Sequence, residues 1–146
     1  YLDLSNNKLK YIDNTIFGKK RCNYLESIIL NSNYLTYIDI RTHKYLKRLT
    51  LSNNYFEEIF FDSNLESVMY FEMKSNKIQT IKNHHFEKNI MVIFLTLMNN
   101  SIQFIESDSF KKLDLLEELD LSINLLEKLD NSTFESQVNL VWLNIS

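Results

Sequence analysis

The sequence contains no proline, a single glycine at Gly18 and a single cysteine at Cys22. Domains made of hairpins or of alternating strands and helices normally use several Gly and Pro residues in their turns, so another residue type must make the turns here. One glycine also excludes a glycine-rich phosphate loop. One cysteine cannot form an internal disulfide bond, which leaves Cys22 either as a small buried thiol or as a half-cystine paired outside this sequence.

Long apolar runs and a strong excess of one charge are also missing. No window reaches the roughly 18 uninterrupted apolar residues that a membrane helix needs, so we expect no direct membrane insertion by this segment. The formal net charge is only -3. Binding to nucleic acid usually requires a strongly basic face, so nucleic acid is not an expected partner. The basic run at residues 19–21 is interpreted as a solvated, slightly bulging loop.

Asparagine is abundant, and it marks a repeat. In residues 116–134, Leu119 and Leu121 alternate with polar residues, Asn124 follows, and Phe134 lies ten positions after that Asn. The frame L-x-x-L-x-L-x-x-N-x-L-x-x-L recurs along the chain, so the sequence must be read as a repeat array. The asparagines that anchor the six matches, hereafter the ladder asparagines, are Asn7, Asn33, Asn54, Asn76, Asn100 and Asn124.

The spacing of these matches predicts one domain over residues 1–146, with six repeats and a seventh that is cut short. Both ends of the sequence fall inside the pattern, and we therefore interpret the chain as a fragment of a longer protein without end caps. Each L-x-L pair places its leucines on one side of a short strand and its polar neighbours on the other. Strands about 24 residues apart cannot be hairpin partners, so we predict a parallel sheet with one strand per coil.

The asparagines and the segments after them complete the predicted coil. A buried amide where the strand ends can satisfy backbone groups of adjacent coils, which is the role expected of the ladder asparagines. The alternation of Ile38 with Ile40, and of Ile59 with Phe61, predicts extended segments on the outer wall. Looser turns or short 3₁₀ turns are expected before three phenylalanines, Phe86, Phe110 and Phe134.

The frame, the step from Asn to Phe and the period of about 24 residues resemble the typical class of leucine-rich repeats over the whole chain. Units such as LDLSNNKLKYIDNTIF are similar to those of Toll-type receptors, cell-surface adhesion proteins and insect secreted immune factors. The resemblance implies an α/β fold class: a right-handed solenoid with its parallel sheet on the concave face and mostly loops and 3₁₀ turns on the convex face. It also implies an extracellular or cell-surface location, although the sequence lacks the Cys-rich end caps of that class.

Residues for catalysis or metal binding are not arranged in any recognisable pattern. His43, His84 and His85 lie on outer-wall segments and, with Cys22, do not have the spacing of zinc ligands. They are interpreted as surface or core-edge residues. We therefore predict no enzymatic activity, no metal and no cofactor.

The outward side of the strands is where we expect binding. Its first row of side chains, the first ladder, consists of Ser27, Arg48, Tyr70, Phe94, Glu118 and Trp142. Neighbouring strands lie about 4.8 Å apart, so Tyr70 and Phe94 should touch. Exposed aromatic residues with a charged border are typical of protein contact sites. The predicted partner-binding residues are Tyr70, Phe94 and Met98 as anchors, Arg48, Glu72 and Lys74 as orienting charges, and Trp142 as a weaker member in the truncated repeat.

The most regular repeat, residues 116–134, is interpreted as scaffold. Its outward residues Glu118, Asp120 and Ser122 are small or acidic. Asn-x-Ser/Thr sequons occur at Asn99, Asn131 and Asn144, about as often as chance predicts. Asn131 lies beside the outer wall and is the expected glycosylation site if the protein is secreted.

The sequence thus favours a non-enzymatic module that recognises a protein partner on its concave sheet. By resemblance, it would belong to an extracellular immune or adhesion receptor or to a secreted factor that takes part in innate immunity and signal transduction. Two alternatives stay open. One is a structural spacer that self-associates through its repeat edges, and the other is an intracellular adaptor.

Overall fold

The computed structural model describes residues 1–17, 24–40, 43–59 and 65–146. Predictions for the loop at residues 19–21, for Cys22 and for Phe61 lie outside these ranges. The strands, in chain order, are β1 (Leu2–Asp3), β2 (Tyr11–Ile12), β3 (Ser27–Ile29), β4 (Tyr37–Ile38), β5 (Arg48–Thr50), β6 (Tyr70–Glu72), β7 (Thr80–Ile81), β8 (Phe94–Thr96), β9 (Phe104–Ile105), β10 (Glu118–Asp120) and β11 (Trp142–Asn144).

Seven of these strands form the predicted parallel sheet, in the order β1-β3-β5-β6-β8-β10-β11. The strands stack in sequence order, one per coil, which confirms the parallel-sheet solenoid. The register places Arg48 opposite Tyr70, Tyr70 opposite Phe94, and Phe94 opposite Glu118. It continues from Glu118 to Trp142 at the last strand. The pairing therefore agrees with the first ladder.

The interior of the coil is filled by the apolar residues of the repeat frame. The central residue of each inner strand points inward and is almost completely buried, as for Leu49, Phe71, Leu95 and Leu119. Because every coil contributes the same set, the buried residues form one continuous cluster along the solenoid. A single repeat has no such enclosure, so each coil depends on its neighbours for stability.

The outer wall, meaning the side of each coil opposite the sheet, has short and variable structure. β2 pairs with β4, and β7 pairs with β9, as two-residue parallel strands. Four-residue 3₁₀ helices span Asn14–Phe17 and Asn83–Phe86. Within the described ranges these are the only helical segments, so the α/β label of the prediction is not confirmed. Of the segments predicted to be extended, Ile38 lies in β4, while Ile59 is buried outside any strand.

Three phenylalanines form a stack behind the outer wall. The ring centroids of Phe86 and Phe110 are 5.9 Å apart, and those of Phe110 and Phe134 are 5.7 Å apart, with nearly parallel rings. Phe86 and Phe110 are fully buried. The stack recurs at the repeat period because Phe follows each ladder Asn by ten residues in these coils.

The ladder asparagines link each coil to the preceding one. Asn76 Nδ2 donates to the carbonyls of Leu51 and Met73, each at 3.1 Å, and its Oδ1 accepts from the Phe56 N–H at 3.1 Å. Asn7 differs because it is exposed and, among the residues that the structure describes, bonds only to carbonyls of its own coil. The arrangement seen at Asn76 is repeated at Asn33, Asn54, Asn100 and Asn124.

The residue before each ladder asparagine adopts the left-handed backbone region, with φ between 53° and 57°. Asn tolerates this region better than most residues, because its short polar side chain bonds locally. Five of these positions carry Asn or Ser, whereas the sixth carries Ile123, a β-branched residue for which such a φ is unfavourable. The six residues are Asn6, Ser32, Asn53, Ser75, Asn99 and Ile123.

Candidate functional site

The candidate site is the sheet face, which we define as the outward-pointing side chains of the seven-stranded sheet. Strand pairing brings Arg48, Tyr70, Phe94, Glu118 and Trp142 into one row. Tyr70 is 38% exposed and Trp142 is 43% exposed, while Phe94 is partly buried. The row therefore presents aromatic surface to solvent.

Glu72 is the last residue of β6, and Lys74 and Met98 lie two residues after the ends of β6 and β8; all three are partly buried. Glu72 is paired in register with Thr96, on the strand that carries Phe94. Five of the seven predicted partner-binding residues therefore lie in strands of one sheet, and Lys74 and Met98 follow two of these strands closely. The five are Arg48, Tyr70, Glu72, Phe94 and Trp142.

In the middle of this face, on β5 and β6, the protein holds its own guanidinium group. The Arg48 guanidinium carbon lies 4.7 Å from the centroid of the Tyr70 ring, and Arg48 Nη1 lies 3.2 Å from Glu72 Oε1. A cation over an aromatic ring is attracted by the ring quadrupole, and the carboxylate adds a charge-assisted hydrogen bond. Ring and carboxylate come from the same strand, so they jointly fix the position of Arg48.

Towards the last strand, β11, the face has an open depression of about 350 Å³. Its walls combine two aromatic residues with two carboxylates and one lysine: Phe94, Trp142, Glu118, Asp120 and Lys74. We call it the Phe94–Trp142 depression.

The two carboxylates of the Phe94–Trp142 depression are held differently. Asp120 Oδ1 accepts from the Ser122 N–H at 3.0 Å and from the Ser122 hydroxyl at 2.6 Å, which fixes the orientation of the carboxylate. Glu118 is exposed, and within the part of the chain that the structure describes it forms no ion pair. Sequence reasoning assigned both residues to the scaffold. The signal that would have found Glu118 is the first ladder, where it stands between Phe94 and Trp142.

Aromatic surface is not confined to the sheet face. Tyr24 and Tyr45 stack with ring centroids 5.6 Å apart, and Tyr34 and Tyr55 lie 5.9 Å apart. The Lys77 Nζ lies 4.7 Å from the Tyr55 centroid. On the sheet face, aromatic rings and an oriented carboxylate, that of Asp120, occur together on adjacent strands.

The histidines lie away from the sheet face. His43 is buried, and burial lowers its pKa. His85 is only 4% exposed, and its pKa is lowered to about 4, first by burial and then by the charges of His84 and Lys82. The Lys82 N–H donates to His85 Nδ1 at 3.1 Å, a bond that the neutral imidazole accepts. Across the described ranges, no three His, Cys, Asp or Glu side chains are grouped as around a metal ion.

The predicted glycosylation site is accessible at its acceptor residue. Asn131 is exposed, whereas Thr133, the third residue of the sequon, is buried. Ser132, between them, bonds to Asp130 through both its N–H and its hydroxyl. Asn131 therefore lies in a tight turn next to the outer wall, away from the sheet face.

Comparison with known proteins finds one family-model match and similar solved structures. Residues 94–146 match the family model described as leucine rich repeat. Among solved structures, the chain is similar to TLR13 in its complex with ssRNA13, with 24% identity and a TM-score of 0.85. It is also similar to a leucine-rich repeat protein of Leptospira interrogans, with 27% identity and a TM-score of 0.85. No curated protein matches the sequence.

The two solved structures are longer than this chain. The likeness covers 94% of this chain and 20% of the TLR13 chain, and it covers 99% of this chain and 36% of the Leptospira protein. The family-model match over residues 94–146 and the two structural likenesses support the leucine-rich repeat solenoid that the sequence predicts. Proteins of this family are typically non-enzymatic and commonly bind other proteins. No helix in the described residues is long and apolar enough to span a bilayer.

Proposed function

We propose that this chain is a non-enzymatic recognition module that binds a protein partner across the sheet face. The observation that carries the proposal is the cross-strand pair of Tyr70 and Phe94, which presents aromatic surface beside the Arg48–Glu72 ion pair. Aromatic residues and arginine dominate binding energy at protein interfaces. Because the strands are already hydrogen-bonded to both neighbours, little conformational entropy is lost on binding.

The residues of the face have distinct roles in this proposal. Tyr70, Phe94 and Met98 are the apolar anchors that the partner covers. The charges of Arg48, Glu72 and Lys74 set the orientation of the partner, and Trp142 extends the surface at the last strand. Charged groups at an interface border contribute more to orientation and association rate than to affinity.

The resemblance to Toll-type receptors supports an extracellular or cell-surface setting, in an immune or adhesion receptor or a secreted factor. A glycan on Asn131 would lie in the turn by the outer wall and leave the sheet face free. The RNA named with TLR13 belongs to that protein. For this chain we propose a protein ligand, because Glu72, Glu118 and Asp120 lie on the face and would repel phosphates.

The test uses a matched pair of double variants. Proteins that bind the chain are first isolated by affinity capture, and the Kd of the strongest binder is measured by calorimetry. Tyr70→Ala with Phe94→Ala should raise the Kd by at least about 30-fold, as expected for central aromatic anchors. Tyr11→Ala with Tyr37→Ala removes a cross-strand aromatic pair from the outer wall and should leave the Kd unchanged. Equal Kd values for the first variant and the wild type would favour the structural spacer instead.

A further inference from the structure

We propose that the Phe94–Trp142 depression is a subsite for one arginine side chain of the protein partner. That the arginine belongs to a protein partner rests on the proposed function. The binding of a guanidinium by the subsite can be tested without any partner.

The depression has the size and the groups that a guanidinium requires. Phe94 and Trp142 stand on strands separated by β10, and they line an open space of about 350 Å³. Glu118 lies on the strand between the rings, and Asp120 lies on the same strand. Aromatic faces and carboxylates both attract a cation.

The protein shows elsewhere on this face how such a group is bound. Arg48 lies over the Tyr70 ring and reaches Glu72, two residues further along the same strand. In the depression, Phe94 and Trp142 supply the rings, while Glu118 and Asp120 supply the carboxylates. Within the described residues, no arginine lines it. The guanidinium that would complete the arrangement therefore comes from another molecule.

Lys74 limits what the subsite accepts. It lines the depression, yet across the described residues it forms no ion pair with Glu118 or Asp120. Two carboxylates against one ammonium leave the depression with a net negative charge. Arginine fits better than lysine, because its planar and weakly hydrated group stacks between rings and binds carboxylates bidentately.

The subsite contains its own reporter, because Trp142 is the only tryptophan of the sequence. The probe is the dipeptide-like compound acetyl-arginine-amide, titrated against the 146-residue chain while the fluorescence of Trp142 and its indole NMR signal are recorded. Acetyl-citrulline-amide is the matched neutral probe. We expect saturable changes with arginine and at least about fivefold weaker binding of citrulline. Equal responses to both probes would overturn the subsite.

Conservative variants locate the binding. Glu118→Gln with Asp120→Asn should weaken the arginine probe about fivefold. The second substitution preserves the turn, because Asn144 accepts the same two bonds from Ser146 one coil later. Asp3→Asn is the control, since Asp3 makes the same turn with Ser5 at the far end of the sheet. A control variant that loses as much affinity as the test variant would contradict a local site.

Lys74→Gln should change the affinity for the arginine probe in the direction opposite to that of Glu118→Gln with Asp120→Asn. Removing this positive charge should tighten the arginine probe about twofold to threefold, because the ammonium repels the guanidinium. An anionic ligand would show the reverse. Titration with a single-stranded oligouridine is therefore included, and oligouridine binding that is weakened by Lys74→Gln would overturn the assignment in favour of nucleic acid.

The results separate the subsite from the proposed function. If arginine and citrulline bind alike while Tyr70→Ala with Phe94→Ala still abolishes partner binding, the subsite is wrong and protein recognition stands. If arginine binds selectively while partner binding ignores the two aromatic substitutions, the subsite stands and the proposed function is wrong.

Discussion

Ile123 occupies a backbone position that suits asparagine, and replacing it should stabilise the protein. Its φ is 54°, and the equivalent residues of the other coils are Asn or Ser. For an ordinary L-residue, the left-handed region costs about 1–2 kcal/mol, and asparagine escapes much of that cost. We therefore predict that Ile123→Asn raises the free energy of unfolding.

The size of the gain follows from two opposing effects. The Ile123 side chain is 56% exposed. Full burial of Ile contributes about 1.5–3 kcal/mol, so truncating this half-exposed side chain loses roughly 0.5–1 kcal/mol. Relief of the backbone returns about 1–2 kcal/mol. One coil earlier, Asn99 Nδ2 donates to Ser75 Oγ at 2.9 Å. An asparagine at position 123 would lie one coil after Asn99 and could donate to its side chain in the same way. The net expectation is a gain of about 1 kcal/mol, or about 3 °C in Tm.

Leu125→Asn is the matched control. Leu125 is 55% exposed, so it loses a similar amount of buried surface, but it has no positive φ to relieve. Urea unfolding of both variants should show Ile123→Asn more stable and Leu125→Asn less stable than the wild type, about 1.5–2 kcal/mol apart. Equal changes in the two variants would refute the backbone argument.

Two further perturbations test the interior. Asn76→Leu should lower the free energy of unfolding by about 1–3 kcal/mol in urea titrations, because it leaves the buried Phe56 N–H without an acceptor, whereas Asn7→Leu at an exposed position should cost far less. The pKa of His85 is about 4 in the folded chain against an ordinary 6.5. Above pH 6.5, His85 is neutral in both the folded and the unfolded state. As the pH falls towards 4, only the unfolded state binds the proton, so the free energy of unfolding should fall by up to about 3 kcal/mol. Unfolding at a series of pH values should show this slope in the wild type and a greater reduction of it in His85→Gln than in His84→Gln, because burial is the largest cause of the lowered pKa.

The main sheet could be predicted residue by residue because the ladder asparagines fix the register. Once Asn76 and Asn100 are aligned, Tyr70 must stand opposite Phe94, and the strand pairing agrees. The left-handed position before each ladder asparagine was also marked in the sequence, by Asn53 and Asn99 among others. Only the coil with Ile123 lacks an Asn or Ser at this position.

The outer wall and the Phe94–Trp142 depression were harder to predict. Outer-wall segments differ in length from coil to coil, so no constant frame sets their pairing or the burial of His85. The depression depends on side chains from strands that are not neighbours, such as Lys74 and Trp142, lining one space, which is a property of side-chain direction. The regular repeat around Glu118 indicated scaffold, because its inward residues fit the frame so well. Its outward residues take part in the site all the same.

The central claim, recognition of a protein by the sheet face, is tested most directly by photocrosslinking from two positions in one coil. Phe94 lies on the sheet face, and Phe104 lies in β9 on the outer wall, 55% exposed. Each is replaced in turn by the photoreactive analogue benzoyl-phenylalanine, and the chain is irradiated with its bound partner. We predict a covalent complex from position 94 and none from position 104. Crosslinking from position 104 alone would contradict recognition on the sheet face.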